Sequence, residues 1–316
     1  MIGFDIGGTK CAVSIGEKQD GKLFIKEKKF FPTDLTRSPY EVIDKMCTLA
    51  EHMTDDFTAI GISCGGPLDS KRGIIMSPPN LPGWDDVHIV DYIKEKYHGK
   101  VTLQNDANAC AVAEWQYGAG QGTSNMIFLT CGSGLGAGLI LNGKLYTGAN
   151  DMAGEVGHVR IGEYGPVGYG KSGSFEGFCS GNGIAALGRM LATEKLQMGK
   201  TVSYCERMEN LSEVSAKTIA ECANEGFEDA LEVYRISGDK LGAGIAVLID
   251  ILNPEMVVIG SVFQRSEHLL REAMERRLHK ECLQYAGKVC RIVPAALTEN
   301  IGDYAALSVA GMEETV

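Results

Sequence analysis

The sequence predicts an α/β protein made of two similar halves whose sheets face each other. Three observations carry that expectation. A strand, a glycine-rich turn and a returning strand run from Ile2 to Ile15, and the same arrangement recurs from Met126 to Leu141. Helix-period stretches alternate with short apolar runs of strand length. With 316 residues, 44% of them hydrophobic, the chain holds enough apolar material for two cores.

Charge and composition narrow the function. A net charge of -11 and a pI near 5.1 argue against the clustered Lys and Arg of a nucleic-acid footprint, so no nucleic-acid partner is expected. Phosphate is not excluded, because backbone N–H groups bind it without net positive charge. Asp5 interrupts the first apolar run and no run reaches about eighteen residues, so neither a signal peptide nor a membrane span is expected. The expected location is cytoplasmic. Ten cysteines lie singly, with no Cys-x-x-Cys pair, and read as small buried apolar residues.

The first hairpin joins Ile2 to Ile6 and Cys11 to Ile15 through Gly7-Gly8-Thr9-Lys10. Glycines in such a turn allow positive φ and turn N–H groups outward, the geometry that cradles a phosphate, or they serve the turn alone. Asp5 favours the ligand reading, since a carboxylate inside an apolar strand is costly without a partner or a metal. The second copy is Met126 to Thr130, the turn Cys131-Gly132-Ser133-Gly134-Leu135-Gly136, and Ala137 to Leu141. Two such turns fit a duplicated architecture that clamps the phosphates of a nucleotide.

Between the hairpins, Tyr40 to Met53 has helical spacing and Thr58 to Ser63 reads as a buried strand ending in Gly65-Gly66-Pro67. The run Gly73 to Gly83 is loop, with Asn80 and Trp84 as binding or loop-fixing residues. At Leu103-Gln104-Asn105-Asp106-Ala107-Asn108-Ala109 a strand gives way to a helix. The Asn-Asp pair there reads either as a helix cap or as a polar pair projecting into a cleft. Downstream, Glu155 and His158 sit three apart among Gly154 and Gly157, and a glycine-rich run ends at Glu176. Carboxylates and an imidazole on such backbone suit a polyhydroxylated ligand. Lys240 to Leu252, Glu267 to Cys282 and Asn300 to Met312 read as helices, and Met256 to Gly260 and Arg291 to Ala295 as strands. Domain boundaries are expected near Asp106 and Glu299, which joins 1–105 to 299–316 and leaves 106–298 as the larger domain.

Five runs together resemble the ROK family of sugar kinases and sugar-responsive repressors: Asp5-Ile6-Gly7-Gly8-Thr9-Lys10, Asn105-Asp106-Ala107-Asn108-Ala109, Gly132-Ser133-Gly134-Leu135-Gly136-Ala137-Gly138, Gly154-Glu155-Val156-Gly157-His158, and Leu252-Asn253-Pro254-Glu255-Met256-Val257-Val258-Ile259-Gly260. The resemblance spans nearly the whole chain. It implies the actin-like, ribonuclease-H-like ATPase fold, two duplicated α/β domains around a cleft, and ATP-dependent phosphorylation of a hexose hydroxyl. The sugar would be that of a glucokinase, a related aldohexose or an N-acetylhexosamine. By the same likeness Asp106 is the general base, and Gly66, Asn80, Asn105, Glu155, His158 and Glu176 bind the sugar. Asp5 stands near Mg2+ and the phosphates, and Gly7, Gly8, Thr9, Lys10, Thr130, Gly132, Ser133, Gly134, Gly260 and Ser261 surround ATP. A homodimer is expected. The alternative is a sugar-sensing regulator of the same fold without catalysis. A repressor of the family would need an N-terminal helix-turn-helix, which an acidic chain entering its first strand at Ile2 does not suggest.

The chain departs from the family pattern in places. Many members carry zinc in a Cys-x-Cys-Gly-x-x-Gly-Cys-x-Glu run, with the His of Glu-x-Gly-His as fourth ligand. The matching run here, Val167-Gly168-Tyr169-Gly170-Lys171-Ser172-Gly173-Ser174-Phe175-Glu176, has none of the three cysteines, so no zinc is predicted. Packing by Tyr169 and Phe175 is expected to position Glu176 instead. Cys131 replaces a small residue in the second turn, and Gly260-Ser261-Val262 replaces a Gly-Gly pair near the expected adenosine site.

Overall fold

The computed structural model describes residues 1–312. Strands β1 (Ile2–Ile6), β2 (Lys10–Gln19) and β3 (Lys22–Pro32) form an antiparallel meander, followed by helix α1 (Pro39–Glu51) and strand β4 (Ala59–Cys64). A short hairpin, β5 (Leu68–Asp69) and β6 (Ile74–Ile75), precedes α2 (Ile89–Lys96), β7 (Lys100–Asn105) and α3 (Asp106–Tyr117). The sheet order is β3-β2-β1-β4-β7, with β1, β4 and β7 parallel. Parallel central strands are covered on both faces, and Phe4, Ile60, Ile62 and Leu103 are all buried. Ser38 starts α1 through a reciprocal capping box with Glu41.

A second five-stranded sheet contains β8 (Met126–Cys131), β9 (Leu135–Leu141) and β10 (Lys144–Tyr146), then β13 (Met256–Ile259) and β14 (Arg291–Pro294), in the order β10-β9-β8-β13-β14. Between them lie the small pair β11 (Val167–Gly168) and β12 (Lys171–Ser172), and helices α4 (Phe175–Cys179), α5 (Gly181–Gln197), α6 (Ala216–Asn224) and α7 (Glu228–Leu252). Helix α8 (Val262–Glu281) follows β13, α9 (Gln284–Val289) precedes β14, and α10 (Ile301–Ala310) closes the described chain. Helix α7 begins twelve residues before the expected Lys240, and α8 begins at Val262 rather than Glu267.

Contacts divide the chain into two compact units. The first is Met1–Ser124, Gly138–Ala153 and the residues from Ala296 on; the second is Asn125–Ala137 with Gly154–Ala295. This division keeps α3 in the first unit, whereas the sequence reading opens the second domain at Asp106. Packing explains the placement: Ala109 and Ala113 of α3 share a buried cluster with Ala305 and Val309 of α10. Helix α10 in turn lies directly on the sheet. Gly3 and Gly61 are register partners, and a Cβ on either would collide with the backbone of residues 306–310.

Candidate active site

In the first unit, strand register gathers the polar residues at one sheet edge. Asp5 pairs with Ser63, which pairs with Gln104, and Ile6, Cys64 and Asn105 form the next row. The carboxyl ends of β1, β4 and β7 therefore deliver Asp5, Gly65-Gly66 and Asn105-Asp106 to the side where α/β sheets bind ligands. Among the described residues no protein donor reaches the Asp5 carboxylate. Burial, then the neighbouring Asp106 and Asp303 carboxylates, push its pKa up to about 6, against the pull of Lys10 and Lys28.

Asp106 opens α3 with its carboxyl accessible to solvent, while Oδ1 accepts the Ala107 N–H at 2.8 Å. Dense protein around it raises its pKa, and the Ala107 and Asp106 N–H groups partly offset the rise. The cap of α3 is Asn105, whose Oδ1 accepts from Ala107 N at 2.9 Å and Asn108 N at 3.4 Å. Its Nδ2 faces Gly66, 3.0 Å from where a Cβ there would stand. Cap and polar pair are thus both present, on adjacent residues. Beneath them Gln104 Oε1 accepts from Asn105 N at 2.8 Å and from Asn108 Nδ2 at 3.1 Å, a buried brace under the corner.

The first glycine turn is held from β3's end. Gly7 N–H donates to Lys10 O at 3.1 Å, Thr33 Oγ1 donates to Gly7 O at 2.6 Å, and Thr33 N–H donates to Thr9 O at 3.0 Å. The side chains of Thr9 and Lys10, both exposed residues, make no hydrogen bond or ion pair among the described residues. Asn80 comes to this turn through its backbone: its carbonyl lies where a Gly8 Cβ would be, and buried Leu81 and Trp84 fix the loop behind it. Asp303 of α10 is buried below, accepting Ser14 Oγ at 2.6 Å and paired with Lys28 Nζ.

In the second unit, Glu176 Oε2 accepts the Leu135 N–H of the second glycine turn at 2.9 Å. Gly134 lies beside the same oxygen. Glu155 heads the short 3-10 turn Val156–His158. The His158 ring is exposed, with Tyr169 edge-on at 6.2 Å between centroids, and its carbonyl accepts Lys171 Nζ at 2.7 Å. Tyr169 is 74% exposed, so the expected packing of Tyr169 around Glu176 is corrected: its residue sits at positive φ on the β11–β12 turn, which points it outward. Phe175 is buried and does pack.

The remaining nucleotide candidates cluster at the turn's far side. Gly181 N–H, at the start of α5, donates to Gly132 O at 2.7 Å, and Ser261 Oγ lies 3.8 Å from a Cβ placed on Gly132. Thr130 is half-buried on β8, Ser133 is exposed, and buried Gly260 donates to Leu129 O at 3.0 Å. Ser261 has φ 57° and ψ -108°, a region suited to glycine, and its N–H donates to Gln264 Oε1 at 2.9 Å. Burial pushes the Cys131 thiol up to about 12, which leaves it a packing residue.

A profile of the ROK family matches residues 1–311. The chain belongs to the ROK family. This ROK chain is 29% identical over 312 residues to a glucokinase of Thermotoga maritima, covering 98% of the chain and 96% of the relative. It is also 32% identical over 228 residues to a xylose repressor of Caldicellulosiruptor bescii, covering 72% of the chain and 56% of that protein. Among solved structures, the ROK glucokinase of Streptomyces griseus in complex with glucose and AMPPNP superposes with a TM-score of 0.77 at 26% identity, covering 98% of this chain and 99% of that chain. The two five-stranded sheets of this ROK chain are those of the actin-like ATPase fold.

Proposed function

We propose that this chain transfers a phosphoryl group from ATP to a hexose hydroxyl, with Asp106 as the general base. The observation that carries the reading is the sheet edge itself. It presents an accessible carboxylate at Asp106, the Asn105 amide beside it, and an N–H-lined turn at Gly7–Lys10 on the same unit. Glucokinases among the relatives, and glucose with AMPPNP in a solved relative, support the substrate pair.

A sugar hydroxyl attacks poorly until its proton has an acceptor, and Asp106 supplies one. Asn105 Nδ2 is a donor for a sugar oxygen, and Gly66 leaves the space next to it. Glu155, His158 and Glu176 of the second unit supply acceptors for sugar hydroxyls, and Asn80 shapes the loop over the first turn. Gly7, Gly8, Thr9 and Lys10 hold phosphate oxygens, with Lys10 free to reach them. Thr130, Gly132, Ser133, Gly134, Gly260 and Ser261 receive the rest of the nucleotide.

Asp5 fits a divalent cation, being a half-buried carboxylate with no protein donor among the described residues and two other carboxylates nearby. Mg2+ takes few carboxylates and keeps several waters, and when bound it neutralises phosphate charge. Val167, Tyr169 and Ser174 stand where the family's zinc-binding pattern has its three cysteines, so zinc has no place in the proposal. A cytoplasmic homodimer is the proposed state. Among the described residues no helix is long and apolar enough to cross a membrane.

The xylose repressor relative keeps a second reading open, a sugar-binding regulator. An ADP-release assay over glucose, mannose, fructose, allose and N-acetylated hexosamines separates the two. Turnover that falls about 10² to 10⁴-fold in Asp106→Asn, with sugar binding retained in calorimetry, supports the kinase. Sugar binding without turnover in the unaltered protein supports the regulator.

A further inference from the structure

We propose that Gly244 is a positioning residue for hexose binding, acting on Glu176 through the Phe175 ring; the inference rests on Glu176 contacting the sugar. Glycine inside a helix is disfavoured relative to alanine, yet α7 carries three, at 238, 242 and 244. Gly238 and Gly242, one turn apart, face the Leu270 and Met274 carbonyls of α8 and let the two helices approach. Gly244 lies about 200° round the helix from Gly242 and has a different neighbour. A Cβ there would stand 2.6 Å from both Cε1 and Cε2 of Phe175 and closer still to Cζ. The missing side chain is the notch that the ring fills.

Phe175 is 1% exposed and is the first residue of α4, a helix of five residues that carries Glu176 in its first turn. The segment has little slack. Buried Ser174 accepts the Gly177 N–H at 3.1 Å, Glu176 Oε2 accepts the Leu135 N–H at 2.9 Å, and the Glu176 Cβ is 3.1 and 3.3 Å from Cβ positions built on Gly168 and Gly157. One carboxylate oxygen is thereby held on the second glycine turn, and the proposal assigns Oε1 to the hexose. Carbon contacts relax to about 3.5–4.0 Å, so a methyl at 244 drives the ring back by about 1 Å and moves its neighbour Glu176. A displacement of that size at a binding group is enough to cost about tenfold or more.

The test is Gly244→Ala, alone and combined with Phe175→Leu, assayed by steady-state kinetics, hexose calorimetry and thermal melting. Gly244→Ala is expected to raise the hexose KM and Kd together by about tenfold while kcat stays within about threefold. The smaller leucine makes room for the methyl, so the double variant returns to within about threefold of Phe175→Leu. A folded Gly244→Ala protein with an unchanged hexose KM overturns the proposal, and so does a rise that Phe175→Leu leaves in place. If Gly244→Ala does not fold, Phe175→Leu alone carries the test: it opens a cavity beside Glu176 and should raise hexose KM with kcat kept, and an unchanged KM overturns the proposal. Absence of turnover in the unaltered protein counts against the kinase reading instead, and hexose Kd still tests Gly244.

Discussion

Asn105 Oδ1 accepts the backbone N–H of Ala107 at 2.9 Å, so the residue next to the proposed base has one end committed to holding the helix that presents it. Only its Nδ2 remains for a ligand. Aspartate caps as well as asparagine but donates nothing when ionised. Asn105→Asp is therefore expected to melt within about 0.5 kcal/mol of the unaltered protein, yet to raise hexose KM at least about tenfold. Asn105→Ala should lose the cap as well, about 1 kcal/mol of stability. Calorimetry of hexose binding together with melting curves checks both, and a loss of affinity that simply follows stability contradicts the division of labour.

The pH dependence of the ligand-free protein follows from Asp5. Its pKa rises from 3.8 to about 6 on folding. A raised carboxyl contributes stability that is complete below the unfolded value and is lost as pH climbs through the folded one. Ionisation thus works against the fold between about pH 4 and 6. Asp5→Asn is expected to gain about 1–2 kcal/mol at pH 7.5, after allowance for solvent screening, and nothing at pH 4. Urea titrations at the two pH values measure the difference. The same proton competes with a cation, so the Mg2+ concentration that gives half-maximal turnover should rise as pH falls below about 6.

Gly8 lies under the carbonyl of Asn80, and a methyl there has no space without moving one of the two loops. Gly8→Ala is expected to raise the KM for ATP by about tenfold or more, with hexose Kd unchanged in calorimetry. A parallel loss of hexose affinity would show that the turn serves the sugar instead.

Ser261 holds φ 57° and ψ -108°, a conformation that costs a side-chain-bearing residue about 1–3 kcal/mol. Glycine relieves the strain but adds unfolded-state entropy and gives up the contact with Arg265 at 3.4 Å. Ser261→Gly is expected to gain about 1 kcal/mol net, read as a rise in Tm.

The legible parts of this molecule are those whose signal is local. Both glycine hairpins stand out because short apolar runs flank them, and Asp5 because a carboxylate interrupts one. Strand β3 does not read as a strand: it is an edge strand whose lysines at 22, 26, 28 and 29 mask the alternation. Helix α5 carries Gly181, Gly183 and Gly188, which read as loop until tertiary packing is known. Gly183 lies against the Glu176 and Gly177 carbonyls and Gly188 against Ile219. At the site, Asp106 is legible from its strand-to-helix corner. Thr33 bracing Gly7, Asp303 below Ser14, and Glu176 on Leu135 are not, because each joins residues separated by 26, 289 and 41 positions.

The Ser14–Asp303–Lys28 cluster has a consequence for synthesis on the ribosome. The meander that carries Asp5 is made well before the helix that covers it, because Asp303 lies 289 positions after Ser14. The nascent chain must therefore carry an uncovered sheet until residues 301–310 have been made, while the stretch 154–295 can gather its own contacts earlier. Ribosome-bound chains that stop short of residue 301 should leave the meander open to protease and to chaperone capture, and extension through residue 310 should protect it.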